Sequence, residues 1–265
     1  STQQRSTIKQ QSQTSINQQV RVAKPNLWSP DSPTLYTAKI QLKQQGKVIA
    51  HNEQKFGFRT LKFDAEKGFF LNGQHTLIKG VNLHHDAGLV GAAVPKDVWR
   101  RRLQSLKDAG VNTIRTAHNP ASKEFLELCD EMGFLVQEEA FDEWDNPKDK
   151  RKNFNQSGEV DYITQSYNQV FAQWAERDLK AMMLRDRNHA SIFQWSIGNE
   201  IEWTHPHYPA AVSHTVNGTS YYEDAPDFAK EPIMQRLKKA NPEAVDSLPI
   251  IANRLAKYVK EIDTT

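Results

Sequence analysis

Cysteine is nearly absent from this 265-residue chain: Cys129 stands alone. One thiol can form no intrachain disulfide and no cysteine-based metal site, and its place on an apolar helical stripe reads as a buried, inert thiol. Long apolar runs are missing as well. None approaches the roughly 20 residues that a membrane-spanning helix needs, so no membrane partner is expected. Charge of either sign is not in excess, with 34 Lys and Arg against 32 Asp and Glu and a net +2. With no basic block, no nucleic-acid partner is expected; the triplet Arg100–Arg102 reads as the solvated face of a helix. The chain also lacks a nucleophile elbow, a Walker motif and a Gly-rich phosphate cradle, because Gly46, Gly57, Gly68 and Gly73 are scattered turn glycines. No signal-peptide pattern is present, but the chain opens on Ser1, so periplasmic, secreted and cytoplasmic locations all stay compatible.

What is present is a composition that can bury a core, 38% hydrophobic and 25% charged. Residues 1–19, rich in Gln, Ser and Thr, read either as a tail or as a polar edge strand. From Val20 the texture is that of strands. Leu35–Leu42 and Val48–Phe58 alternate apolar and polar residues around Gly46, which predicts a hairpin. Residues 1–62 are therefore read as part of a small β-domain, too short for a complete sandwich of about 100 residues.

Over 63–265 the rhythm changes. A tight hairpin at Asn72-Gly73 comes first. Strands are then expected at Thr76–Val81, Val111–Arg115, Phe134–Gln137 and Ile192–Ile197, with helices near Pro95–Ala109, Ser122–Met132, Val160–Leu184 and Leu248–Ile262. Alternating β and α elements require parallel strands with right-handed crossovers. Each predicted strand runs out into charged or amide side chains. The first leads to Asn82, His84 and His85, the second to Arg115 and His118, the third to Glu138, Glu139, Asp142 and Glu143, and the fourth to Asn199 and Glu200. Polar groups gathered at the C-terminal ends of parallel strands are the arrangement of a (β/α)8 barrel with its site on that face. Four units are too few to close a barrel of about 250 residues, and half a barrel leaves two open edges. The chain is therefore expected to be part of a longer polypeptide.

A metal hydrolase was weighed from His84, His85 and His118. Adjacent residues on a strand point to opposite faces, so His84 and His85 do not form a chelating pair. Carboxylate chemistry fits better. Glycoside hydrolysis needs a protonated carboxylic acid over the leaving oxygen and a second carboxylate opposite. Glu200 suits the acid, since near-apolar strand surroundings and acidic neighbours would both raise its pKa. Asn199, His84, Arg115 and His118 supply hydrogen-bond donors, Asp142 and Glu143 join them as substrate-binding candidates, and Trp144 and Trp203 could stack on a pyranose face.

Asp186-Arg187-Asn188-His189-Ala190-Ser191, leading through Ile192–Trp195 to Gly198-Asn199-Glu200, resembles the acid/base signature of glycoside hydrolase family 2, the family of β-galactosidases, β-glucuronidases and β-mannosidases. Asn112–Pro120 resembles its other signature. Gly80–His84 and Glu138-Glu139-Ala140 are similar to its first and third barrel strands, and Trp28-Ser29-Pro30 with Phe56-Gly57-Phe58-Arg59 to the end of its immunoglobulin-like domain. The resemblance implies part of an immunoglobulin-like β-sandwich over 1–62 followed by the first half of a TIM barrel. It implies a retaining exo-β-glycosidase acting on terminal β-linked sugars, most closely of β-galactosidase type, with β-glucuronidase, β-mannosidase or a non-catalytic carbohydrate-binding barrel as alternatives. By motif Glu200 becomes the proton donor, with Asn199, His84, Arg115 and His118 lining the sugar site, while the family's nucleophilic glutamate is expected on a later strand outside this chain. Where β-galactosidases of the family carry a metal-binding Glu-x-His, this chain reads Glu143-Trp144-Asp145. No magnesium or sodium ion is therefore expected to be required. The partner implied is a carbohydrate, and the full-length protein could form a homo-oligomer.

Overall fold

The computed structural model describes residues 2–4, 14–145, 167–201 and 247–264. Residues 14–20 carry no regular secondary structure. Strands β1 (Tyr36–Gln44) and β2 (Lys47–Phe56) form the expected antiparallel hairpin, with Tyr36 opposite Phe56. Its turn residues Gln45 and Gly46 both have positive φ, as a two-residue loop between twisted strands demands. A three-stranded sheet follows, β3 (Leu61–Asp64), β4 (Gly68–Leu71) and β5 (Gln74–His75), turning at Asn72-Gly73.

Four parallel strands come next in sequential order: β6 (Gly80–His84), β7 (Thr113–Ala117), β8 (Leu135–Glu139) and β9 (Ile192–Ser196). Helices α1 (Lys96–Asp108) and α2 (Lys123–Met132) connect the first three, α3 (Asn168–Asp186) precedes β9, and α4 (Leu248–Ile262) packs on α3. Ser122 caps α2 by accepting the Phe125 N–H, and Gly133 ends it in the left-handed conformation. Among the described residues, four parallel strands thus alternate with helices in the expected order. The expected Val160–Leu184 helix begins at Asn168 among the described residues, and 160–166 lie outside them.

The first strand corrects the expectation. Gly80–His84 pairs with β7, whereas Thr76–Lys79 is not strand. The Asn112 side chain occupies that place, accepting the Lys79 N–H and donating to the Leu77 carbonyl. Strands β7 and β8 likewise run two residues further than expected, so Glu138 and Glu139 belong to the strand body.

The sheet has two different faces. Val81, Ile114, Val136 and Ile192 pack outward against Trp99 and Leu103 of α1 and Phe125, Leu126, Leu128 and Cys129 of α2. Complete burial among these groups pushes the Cys129 thiol pKa well up, the inert thiol expected. On the inner face, register aligns Asn82, Arg115, Gln137 and Gln194 in one polar row. Above it the next inward positions are His84, Ala117, Glu139 and Ser196.

The foot of the sheet is sealed by the N-terminal segment. Trp28 is fully buried with Phe69, Leu71, Leu135, Ala190 and Phe193, and its Nε1 donates to the Asp130 carbonyl at 2.9 Å. Gly57 is required here, because a Cβ would stand 2.8 Å from that of Ala190. Arg59 reaches across to donate to the carbonyls of Ala190 and Ile192. Lys107 Nζ bridges the carbonyls of Pro30 (2.9 Å) and Gly133 (2.7 Å). Arg100 and Arg101 are exposed as expected, but Arg102 is half-buried, its guanidinium over the Trp99 ring and bonded to the Asp86 carbonyl. Among the described residues no helix is long and apolar enough to cross a membrane.

Candidate active site

The site lies where the four parallel strands end. Because inward side chains alternate along each strand, Arg115 on β7 and Glu139 on β8 share the lumen, one inward row apart in height. Arg115 spans the step with a bidentate pair, Nε to Glu139 Oε2 at 2.8 Å and Nη2 to Oε1 at 2.9 Å. Its Nη2 also donates to Asn199 Oδ1 at 2.8 Å. His118, just past β7, meets Glu139 Oε1 through Nδ1 at 2.7 Å, and Ser196 Oγ donates to Oε2 at 2.6 Å. The Glu139 N–H in turn donates to Thr116 Oγ1 at 2.9 Å. Asn199 completes the set by donating from Nδ2 to Asp142 Oδ1 at 3.1 Å.

Of the residues expected from sequence, Arg115, His118, Asn199 and Asp142 are thus joined in one hydrogen-bonded group. His84 stands beside it, its ring edge-on to His118 with centroids 5.1 Å apart. His85 faces the other way and rests on Trp99, as strand alternation requires. Burial among α1 groups, with Arg102 nearby, lowers the His85 pKa.

Glu200 follows Asn199 directly in a left-handed backbone conformation, φ 46°. For a residue with a Cβ this costs roughly 1–2 kcal/mol, and such backbones cluster at functional sites. Glu200 lines an open pocket of about 550 Å³ with Gln137, Trp144, Gln194 and Ser196. Its side chain is exposed to solvent, while Trp195, Ile197, Ile201 and Leu248 form the apolar part of the same pocket's wall. A strongly buried carboxyl stands nearby on the same strand: Glu138, one residue before Glu139 and on the outward face. Desolvation and the neighbouring Asp186 push its pKa up to about 9, against which Arg185 works.

Two other candidates have structural partners of their own. Glu143 is buried and accepts the Asn168 N–H at 3.0 Å, at the start of α3, where a carboxylate suits the helix dipole. Trp144 is buried against Phe171 and donates from Nε1 to the Ile197 carbonyl at 2.7 Å, so it is a wall of the core and not a free stacking platform. Trp203 lies outside the described residues. Sequence reasoning missed Glu139 and Ser196 as members of the site. The available signal was a carboxylate inside a strand whose register partners are Arg115's neighbours in the lumen.

The family model "Glycosyl hydrolases family 2, TIM barrel domain" matches residues 64–219, and the model "Glycosyl hydrolases family 2" matches residues 1–59. This chain belongs to glycoside hydrolase family 2. The strands β6–β9 with their helices are the beginning of that family's TIM barrel, and the β1–β2 hairpin is part of its N-terminal sandwich. A β-galactosidase of Bacteroides ovatus is 38% identical over 252 residues, covering 94% of this chain and 27% of the relative. A solved glycosyl hydrolase family 2 member from Bacteroides cellulosilyticus is 33% identical with a TM-score of 0.67, over 92% of this chain and 25% of that one. The β-glucuronidase of Parabacteroides merdae is 28% identical with a TM-score of 0.64, again over 92% of this chain and 24% of the other. The family 2 chain described here therefore spans about a quarter of the length of these relatives.

Proposed function

We propose that the protein carrying this chain is a retaining exo-β-glycosidase, and that Glu200 is its general acid/base. One observation carries the reading. The Arg115–Glu139–His118 cluster and Asn199 meet at the ends of adjacent parallel strands, with Glu200 on the residue after Asn199. In this reading Glu200 protonates the departing glycosidic oxygen and later deprotonates the water that hydrolyses the glycosyl-enzyme. Asn199, His84, His118, Arg115 and Asp142 hold hydroxyls of the terminal sugar. Double displacement needs a nucleophilic carboxylate about 5–5.5 Å from the acid, and we assign it to sequence outside these 265 residues.

No metal ion takes part in the proposed reaction. Glu143 Oε1 accepts the Asn168 N–H and Asp145 Oδ2 accepts from the Ser247 hydroxyl at 3.4 Å, which gives each carboxylate a hydrogen-bonding role at the start of a helix. Unchanged turnover after exhaustive chelation is the expected result.

The sugar we propose is a β-galactoside, supported by the β-galactosidase relative that aligns over 94% of this chain. A β-glucuronide is the second reading, supported by the likeness to the β-glucuronidase structure. Turnover of nitrophenyl β-galactoside and β-glucuronide by the whole protein separates them. Release of nitrophenol from neither, nor from the β-mannoside, would end the enzymatic reading in favour of a carbohydrate-binding barrel.

A further inference from the structure

Glu139 has no exposed surface, although it points into the lumen. Each of its oxygens meets two partners: Oε1 meets Arg115 Nη2 and His118 Nδ1, and Oε2 meets Arg115 Nε and Ser196 Oγ. A carboxylate withdrawn from water is retained only where donors replace its hydration. Here all of those donors come from side chains that line the lumen, and none from the outer core.

The connection continues beyond Glu139. The Arg115 Nη2 that binds Glu139 also binds Asn199 Oδ1, while Asn199 Nδ2 faces Asp142. The amide therefore has a donor on one side and a carboxylate on the other, which fixes its orientation. His118 turns Nδ1 to Glu139, so its Nε2 is the nitrogen left to meet a ligand.

We propose that Glu139 is a positioning residue of the active site: through Arg115 it orients Asn199 beside Glu200, and directly it sets the ring of His118. The proposal rests on the glycosidase reading above and adds a residue that touches no substrate. Without the Glu139 charge, the Arg115 guanidinium is released toward the remaining carboxylates at the strand ends, and the Asn199 amide loses its fixed donor.

The test is a double-mutant cycle in the whole enzyme, read as kcat/KM on a nitrophenyl glycoside. Glu139→Gln keeps the volume and one acceptor, and should lower kcat/KM by about 10²-fold, as expected for small misplacements of a site. Asn199→Ala should cost on the order of 10²–10³-fold. If Glu139 acts through Arg115 upon Asn199, the double variant loses less than the product of the two single losses, because coupled groups are not additive, and the remaining excess is the share that Glu139 exerts through His118. Ser196→Ala removes a single contact to Glu139 and should lose only several-fold, an effect that vanishes in the Glu139→Gln background. Should Glu139→Gln fail to fold by circular dichroism, the Ser196→Ala and Asn199→Ala cycle carries the same test. Losses that multiply in full would overturn the positioning role while leaving the glycosidase reading intact. A parent enzyme with no turnover of any nitrophenyl glycoside would overturn both.

Discussion

The Pro30 carbonyl stands directly over Gly133: a Cβ on that glycine would lie 2.3 Å from the oxygen. Gly133 also has φ 75°, so a side chain there meets both a clash and a strained backbone. The same carbonyl receives Lys107 Nζ, which makes the contact a joint between the sandwich segment and the start of β8.

Gly133→Ala should therefore destabilise the protein by more than the roughly 1–2 kcal/mol of the left-handed backbone alone. Denaturant unfolding against the parent measures it. A loss below about 1 kcal/mol would mean that Pro30 yields freely and that the joint is loose.

Glu200→Gln separates a catalytic from a structural role. Dinitrophenolate needs little protonation to leave, so formation of the glycosyl-enzyme from such a substrate should survive. Sugar alcohol leaving groups should lose the typical 10²–10⁴-fold contribution of general acid catalysis, about 3–5 kcal/mol. Since the same residue serves as base in the second step, the intermediate should accumulate and added azide should restore turnover. Pre-steady-state bursts with a series of leaving groups check this, and equal losses for all of them would end the assignment.

Glu138 makes stability depend on pH. Its carboxyl titrates ordinarily near 4.5 but near 9 in the fold. Between those values the folded protein holds a proton that the unfolded chain has released, so stability falls as pH rises through the window and levels off above it. One proton gives a slope on the order of 1 kcal/mol per pH unit. Glu138→Gln should flatten that part of the profile and leave the protein at least as stable at pH 8. Urea midpoints from pH 5 to 9 are the measurement, and a parallel pair of curves would refute the buried neutral acid.

Gly198 admits the Trp144 indole, since a Cβ would stand 2.9 Å from its Nε1 and 2.8 Å from Ile201 Cγ1. Gly198→Ala should break the bond from Trp144 to the Ile197 carbonyl and cost about 1–3 kcal/mol, as overpacking does. It should also lower kcat/KM, because Asn199 and Glu200 follow directly. Normal kinetics with reduced stability would show that the tip of β9 is held by other contacts.

Much of this was legible from residues alone, and the failures share a cause. The hairpins at Gly46 and Gly73, α2 between Ser122 and Gly133, and α4 were placed within one or two residues, because turn and cap chemistry is local. Strands β6, β7 and β8 end two or three residues beyond the expected bounds, which follow the apolar stretch of each strand. In a barrel with a wet lumen, every second residue of a strand can be polar, as Asn82, Arg115 and Gln137 are. Those same bounds assigned Glu139 to an exit loop and hid its place in the site.

Arg59, by hydrogen bonds to the Ala190 and Ile192 carbonyls, and Trp28, by packing on Ala190 and Phe193, grip the foot of the barrel strand whose upper end leads to Asn199 and Glu200. A five-residue strand is about 16 Å long, so it works as a lever. A tilt of about 10° at the foot moves its tip by about 3 Å, and about 1 Å of misplacement can cost 10²-fold in rate. In the proposed enzyme, alignment is in this sense set from below: the sandwich is the mount of the instrument, and looseness in the mount is read out, magnified, at Glu200.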